Sequence, residues 1–189
     1  MSKIVVTEFV SLDGVFEDPH LWHFPFFNDA AGQYKGDELK DTAALLLGRK
    51  TYEGFADAWP KMSGDEFSDT FNSMPKHVVS TTLENAQWNN SHIISSDVAA
   101  ALADLKNQYD QDIYIHGSGD LANSLIQLGL IDEIRLMVHP IVVGKGRRFF
   151  NDGTTIDALK IIDVTTFDAG VVLLTLQPTS QEPTPKTGE

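Results

Sequence analysis

Leu45-Leu46-Leu47-Gly48-Arg49-Lys50-Thr51-Tyr52-Glu53 runs from an apolar stretch through a glycine and two bases into a segment with helical character. Consecutive leucines read as a strand covered on both faces, which is the pattern of parallel strands between helices. A glycine at the strand end permits close approach to the backbone. The helix that follows points free N–H groups and a partial positive charge outward, a setting that favours an anion. Arg49 and Lys50 add like charge to that helix start. A bound phosphate would remove the conflict; solvated surface bases are the alternative.

The same unit recurs at Ile113-Tyr114-Ile115-His116-Gly117-Ser118-Gly119-Asp120-Leu121, where a strand enters small residues and then a helix with Leu121, Leu125 and Leu128 on one face. The glycines leave room for a pyrophosphate against the helix start. The third glycine of a Rossmann fingerprint is missing, as is the lysine of a Walker A loop. A tight turn capped by Ser118 or Asp120 is the competing explanation. Ser80, Thr81 and Thr82 follow a third apolar run, His77 to Val79, and their hydroxyls can donate to ribose or phosphate oxygens. Taken alone, turn chemistry explains them better.

Working outward, strands are predicted at Ile4–Val10, Ala44–Leu47, His77–Ser80, Ser91–Ile94, Ile113–His116, Glu133–Val138, Lys160–Phe167 and Val171–Leu176, with helices near Asn28–Lys40, Thr51–Ala56, Val98–Tyr109 and Ser118–Leu128. Asp168, Ala169 and Gly170 between the last two strands are hairpin chemistry and require antiparallel pairing. The fold class is therefore α/β with a mixed sheet. Residues 1–177 form one domain, and 178–189 (PTSQEPTPKTGE), with three prolines and no large apolar side chain, read as a disordered tail.

The chain of 189 residues has 27 acids against 14 bases, a net charge of -13. That charge repels phosphate backbones and anionic lipid heads, so nucleic acid and membranes are not expected partners. The absence of cysteine excludes a disulfide framework, a thiolate zinc site and a cysteine nucleophile. No secretory signal is read at the N-terminus and no run of 18 apolar residues occurs, which points to a cytoplasmic protein.

The first loop, Ser11 to His23, gathers titratable and aromatic groups suited to a flat heterocycle. Asp13 is its principal candidate for chemistry, although Asp13-Gly14 is equally an ordinary turn. His20 and His23 lack a carboxylate partner, and no metal site is expected. Residues 139–150 read either as a glycine-flanked flap with a basic end or as a crossover loop, with Phe149 and Phe150 in the core.

The blocks VVTEFVSLDG, LGRKTYE, VVSTT, IYIHGSGDLANSLIQLGLIDEI and PIVVGKGRRFF, in this order, resemble the dihydrofolate-reductase-like family, specifically the reductase domain of bacterial riboflavin biosynthesis. The resemblance implies a three-layer αβα sandwich around a mixed, largely eight-stranded sheet, an NADPH site and a homodimer. It also implies roles. Gly48, Arg49, Lys50 and Thr51 would hold the adenosine side of NADPH with its 2′-phosphate, Ser80, Thr81 and Thr82 the same phosphate and ribose, and Gly117, Ser118, Gly119, Asp120 and Leu121 the pyrophosphate. Asp13 would face the substrate as catalytic or amide-binding acid, with Glu17 second and Trp22 as a stacking wall. Three departures stand out. The zinc deaminase signature is absent, Asp120 sets a negative charge beside the pyrophosphate, and the acidic helix position of dihydrofolate reductases has no clear counterpart. The expected activity is NADPH-dependent reduction of a small heterocyclic substrate, the alternative a non-catalytic nucleotide or small-molecule binder.

Overall fold

The computed structural model describes residues 1–156 and 158–179. Eight strands form one mixed sheet: β1 (Ile4–Ser11), β2 (Thr42–Gly48), β3 (Lys76–Val79), β4 (Ser91–Ile94), β5 (Asp112–His116), β6 (Glu133–His139), β7 (Leu159–Thr166) and β8 (Val172–Pro178). Their order is β4-β3-β2-β5-β1-β6-β8-β7. Pairings from β4 through β6 are parallel, whereas β8 is antiparallel to both β6 and β7. The β7–β8 hairpin turns at the predicted place, with Gly170 at φ 83°.

Five helices cover the sheet: α1 (Asp29–Lys40), α2 (Arg49–Ala58), α3 (Glu66–Ser73), α4 (Val98–Gln108) and α5 (Gly119–Gln127). The side-chain alternation of β2 sorts them into two layers. Leu46 joins Leu102 and Leu105 of α4 and Leu125 of α5. Leu45 and Leu47 turn the other way, to Leu39 of α1, Tyr52 of α2 and Phe71 of α3. The expected three-layer architecture follows. Since α5 leaves β5 toward one face while α1 and α2 leave the adjacent β1 and β2 toward the other, crevices open at the C-terminal edge on both sides of β5. Ligands of α/β proteins bind in such places.

Helix α3 has no counterpart among the predicted elements. Its apolar signal is only Phe67 and Phe71, one turn apart, behind the cap Asp65, whose carboxylate accepts from the Ser68 N–H at 2.9 Å. Phe71 packs against Phe55, Trp59, Phe67 and Trp88. The predicted tail also begins too early. Pro178 pairs with Leu159 and Thr179 donates to the Ala158 carbonyl, so both belong to the sheet; residues 180–189 lie outside the described ones. Pro178 is tolerated because it ends its strand, where a missing N–H costs little. Among the described residues no helix is long and apolar enough to cross a membrane.

Because Phe71 anchors both α3 and this aromatic group, Phe71→Ala is expected to cost about 3–5 kcal/mol. Urea unfolding should show a lower midpoint at nearly constant slope.

Candidate functional site

The two strand-to-helix corners picked out by sequence are joined. The Gly48 N–H donates to Ser118 Oγ at 3.0 Å, and the Ser118 N–H donates to Thr51 Oγ1 at 2.8 Å. This reciprocal clasp holds the starts of α2 and α5 side by side. Asn28, Asp65 and Asp97 cap α1, α3 and α4 with their side chains, but no side chain caps α2 or α5. Their first N–H groups therefore lack the capping partner that the other three helices have.

The glycines of the second corner do something other than make room for a ligand. A Cβ on Gly117 would meet Thr51 Cγ2 at 3.0 Å, and one on Gly119 would overlap the Phe16 ring. Protein fills the space expected for pyrophosphate. Thr51 and Ser118 serve as the clasp, and Leu121 lies beside Gly48. The Asp120 side chain does not cap its helix; it forms an ion pair with Arg147.

Arg49 and Lys50 are exposed at the start of α2. Arg49 is tied to Glu53, one turn on, at 3.2 Å. Gly48 aligns with Val79, which brings Ser80 to the same edge. Ser80 is a turn-former, its Oγ accepting from the N–H groups of Thr82 and Leu83 at 3.2 and 2.9 Å, while Thr81 and Thr82 are exposed beside it. A shallow concavity of about 440 Å³ between α2 and residues 83–88 is bordered by Glu53 and Asp57, charges that disfavour an anion there.

The first loop and residues 140–149 form one flap. Val143 and Gly144 donate their N–H groups to the Asp13 carboxylate at 3.0 and 2.9 Å, and the Ser11 hydroxyl donates at 2.7 Å. The Ser11 hydroxyl and these two N–H groups pull the Asp13 carboxyl down to about 2. A carboxylate so engaged is a latch and a poor proton source, which corrects the catalytic part expected of it. Glu17 likewise accepts from the Arg147 N–H at 3.2 Å. Trp22 is buried, with its Nε1–H on the Glu17 carbonyl and its ring edge-on to His139 at 5.3 Å. It belongs to the core and is not a stacking wall.

A polar floor that the sequence reading overlooked lies on the α1 side of β1 and β5. Thr7 and His116 are register partners and so share a face. Lys35 of α1 donates to Thr7 Oγ1 at 3.0 Å and is paired with Glu38, which also receives Thr7, Tyr34 and Arg135. Burial works to raise the Glu38 carboxyl, but Lys35, His116 and Arg135 together hold it below its ordinary value. Protein surrounds the His116 imidazole, which stays partly open to solvent and meets the Phe71 ring edge-on at 5.7 Å. Burial, helped by the Lys35 ammonium, lowers it to about 3 despite the opposing Glu38. A neutral imidazole offers one donor and one acceptor. The available signal was a lysine and a glutamate three apart on the inner side of α1, which one sequence does not distinguish from a solvated pair.

The depressed His116 value has a definite sign. Unfolded imidazole binds a proton below about pH 6.5 and the folded one only near 3, so its stabilising contribution is present above 6.5 and fades as pH falls. Between about pH 6 and 4 the His116→Gln protein should lose unfolding free energy less steeply than the parent, by up to ~1.4 kcal/mol per pH unit. Chemical denaturation across that range measures it.

Comparison with known proteins places this architecture. The model of the RibD C-terminal domain matches residues 2–173. The uncharacterized protein YyaP of Bacillus subtilis is 33% identical over 143 residues, 72% of this chain and 74% of that protein. A putative riboflavin biosynthesis protein of Shewanella sp. PV-4 superposes with a TM-score of 0.77 at 19% identity, over 94% of this chain and 99% of the other. Dihydrofolate reductase of Enterococcus faecalis, solved with NADP(H), gives 0.62 at 16% identity over 93% and 95%. At such identities the two structures speak for the fold. With the family model spanning nearly all of its ordered sheet and helices, the chain belongs to the RibD C-terminal domain family.

Proposed function

We propose that this protein is an NADPH-dependent reductase acting on a small, flat, polar heterocycle. The observation that carries the reading is the clasped pair of uncapped helix starts, α2 and α5, at the C-terminal edge beside Arg49 and Lys50. Two such starts side by side suit a ligand with phosphate at both its middle and one end. Arg49 and Lys50 supply full charge for a terminal 2′-phosphate, and the Thr81 and Thr82 hydroxyls border the same place. The donor set fits the coenzyme, although Phe16 must leave Gly119 for the diphosphate to reach the start of α5.

When bound, a reduced nicotinamide supplies hydride; the protein supplies orientation and exclusion of water. Phe9 is partly exposed on the same face of β1 as Thr7, and Phe71 lies beside His116. The Phe9 ring suits a planar substrate, with the neutral His116 imidazole, backed by the buried Phe71, able to donate or accept a hydrogen bond at its edge. Lys35 and Glu38 balance each other's charge, an arrangement that favours an uncharged heterocycle over an anionic one. Asp13 and Glu17 hold the flap against this edge.

Replacing Arg49 and Lys50 together by Ala should weaken NADPH binding by about 30-fold while changing NADH binding less than about threefold, since only the former loses charge-assisted bonds. Calorimetry with both coenzymes decides, and equal losses would refute the assignment of the 2′-phosphate. A protein that NADPH stabilises thermally, yet that oxidises none with pterins, pyrimidines or ketones, would be a binder.

A further inference from the structure

The start of α5 is contested by the protein's own charges. Asp120, in the first turn, places its carboxylate where the helix dipole favours one. Arg147 reaches from the flap to pair with it, with the guanidinium 5.8 Å from the centre of the Phe16 ring that covers Gly119. Both members of the pair are substantially exposed, at 42% and 61%, so neither is committed to the core. Exposed pairs of this kind contribute little to stability, at most about 1 kcal/mol. Such a pair can be exchanged for a better one at small cost.

On the other side of the same turn lies Glu8. Its neighbours Val6 and Val10 face the α4–α5 layer, and the next residue after its register neighbour Thr7–His116 is Gly117 itself. The side chain is buried, and Oε1 has no hydrogen-bond partner among the described residues. Burial pushes this carboxyl well above its ordinary range, against the Lys35 ammonium across the strand and the Gly117 backbone. Burial thus works against a full negative charge beside the turn, and an oxygen there lacks a partner. An uncapped helix start, a buried carboxyl with an unpartnered oxygen next to Gly117, and an exposed guanidinium paired with Asp120 come together at Gly117–Asp120.

We propose that Arg147 is a coenzyme ligand carried by the flap, which gives up the Asp120 carboxylate for the diphosphate when Phe16 lifts from Gly119, so that Asp120 acts as an internal competitor setting coenzyme affinity. The inference rests on the coenzyme reading above. No bond is made or broken covalently: one charge-assisted pair replaces another, and Asp120 passes to solvent. Arg147 is then the reason this turn tolerates an acid beside an anion seat.

Calorimetric titration of the full chain with NADPH, and separately with inorganic pyrophosphate, tests it. Asp120→Asn should tighten both by about threefold or more, because a like charge is removed and the guanidinium is freed. Arg147→Ala should weaken both about tenfold, and Arg147→Lys should recover only part, since the planar fork is lost. In the Arg147→Ala background the gain from Asp120→Asn should shrink. Being exposed, these substitutions should leave the melting temperature nearly unchanged. Unchanged or weaker binding in Asp120→Asn, or undiminished binding in Arg147→Ala, with NADPH still bound by the parent, overturns this inference alone. A parent protein that gives no heat with NADPH overturns the coenzyme reading as well.

Discussion

The exchange of hydrogen bonds between Ser118 and the Gly48–Thr51 corner fixes the spatial relation on which the functional edge depends. A hydroxyl from one helix and a backbone N–H from the turn before the other hold two dipoles of the same sign together. Two positive helix ends repel, and the clasp, the close Gly117–Thr51 packing and the sheet beneath offset that repulsion. Ser118 adopts a left-handed backbone at φ 56°, a conformation that costs a serine energy. Strain, like-charge dipoles and missing caps in one place set this region apart from the rest of the fold, where local preference and packing agree.

Most of the sheet could be read from sequence because the physics is local. Ser91–Ile94 was expected within the observed bounds, and the other strands within two residues, since an apolar run ended by glycine or polar residues has few other solutions. Helix α3 escaped because two phenylalanines one turn apart are too weak a periodicity; its stability comes from tertiary packing around Phe71. Pro178 reads as tail on composition, whereas its pairing with Leu159 is set by the sheet.

The candidate site was visible in parts and hidden as a whole. Both corners carry their signature in consecutive residues, so Gly48–Thr51 and Gly117–Leu121 could be named from spacing alone. What spacing cannot give is what a side chain touches. Asp13 finds two N–H groups more than a hundred positions away and becomes a latch, and Trp22 turns inward onto His139. Lys35, Glu38 and His116 look unremarkable in sequence, yet topology brings them to one floor. Pairings between residues distant along the chain are set by the order of strands in the sheet, which no local pattern encodes.

The flap has a consequence for the order in which the molecule assembles and comes apart. The N–H of Gly144 reaches Asp13 across a separation of 131 residues, so this bond forms only after β1 and β6 are already adjacent. It is therefore expected to close late in folding. Lying at an accessible edge, it is also among the first to open in the native state, without the sheet giving way. The amide protons of Val143 and Gly144 should accordingly trade with solvent deuterium far sooner than those of the central strands, making them natural reporters of the breathing through which a ligand would enter.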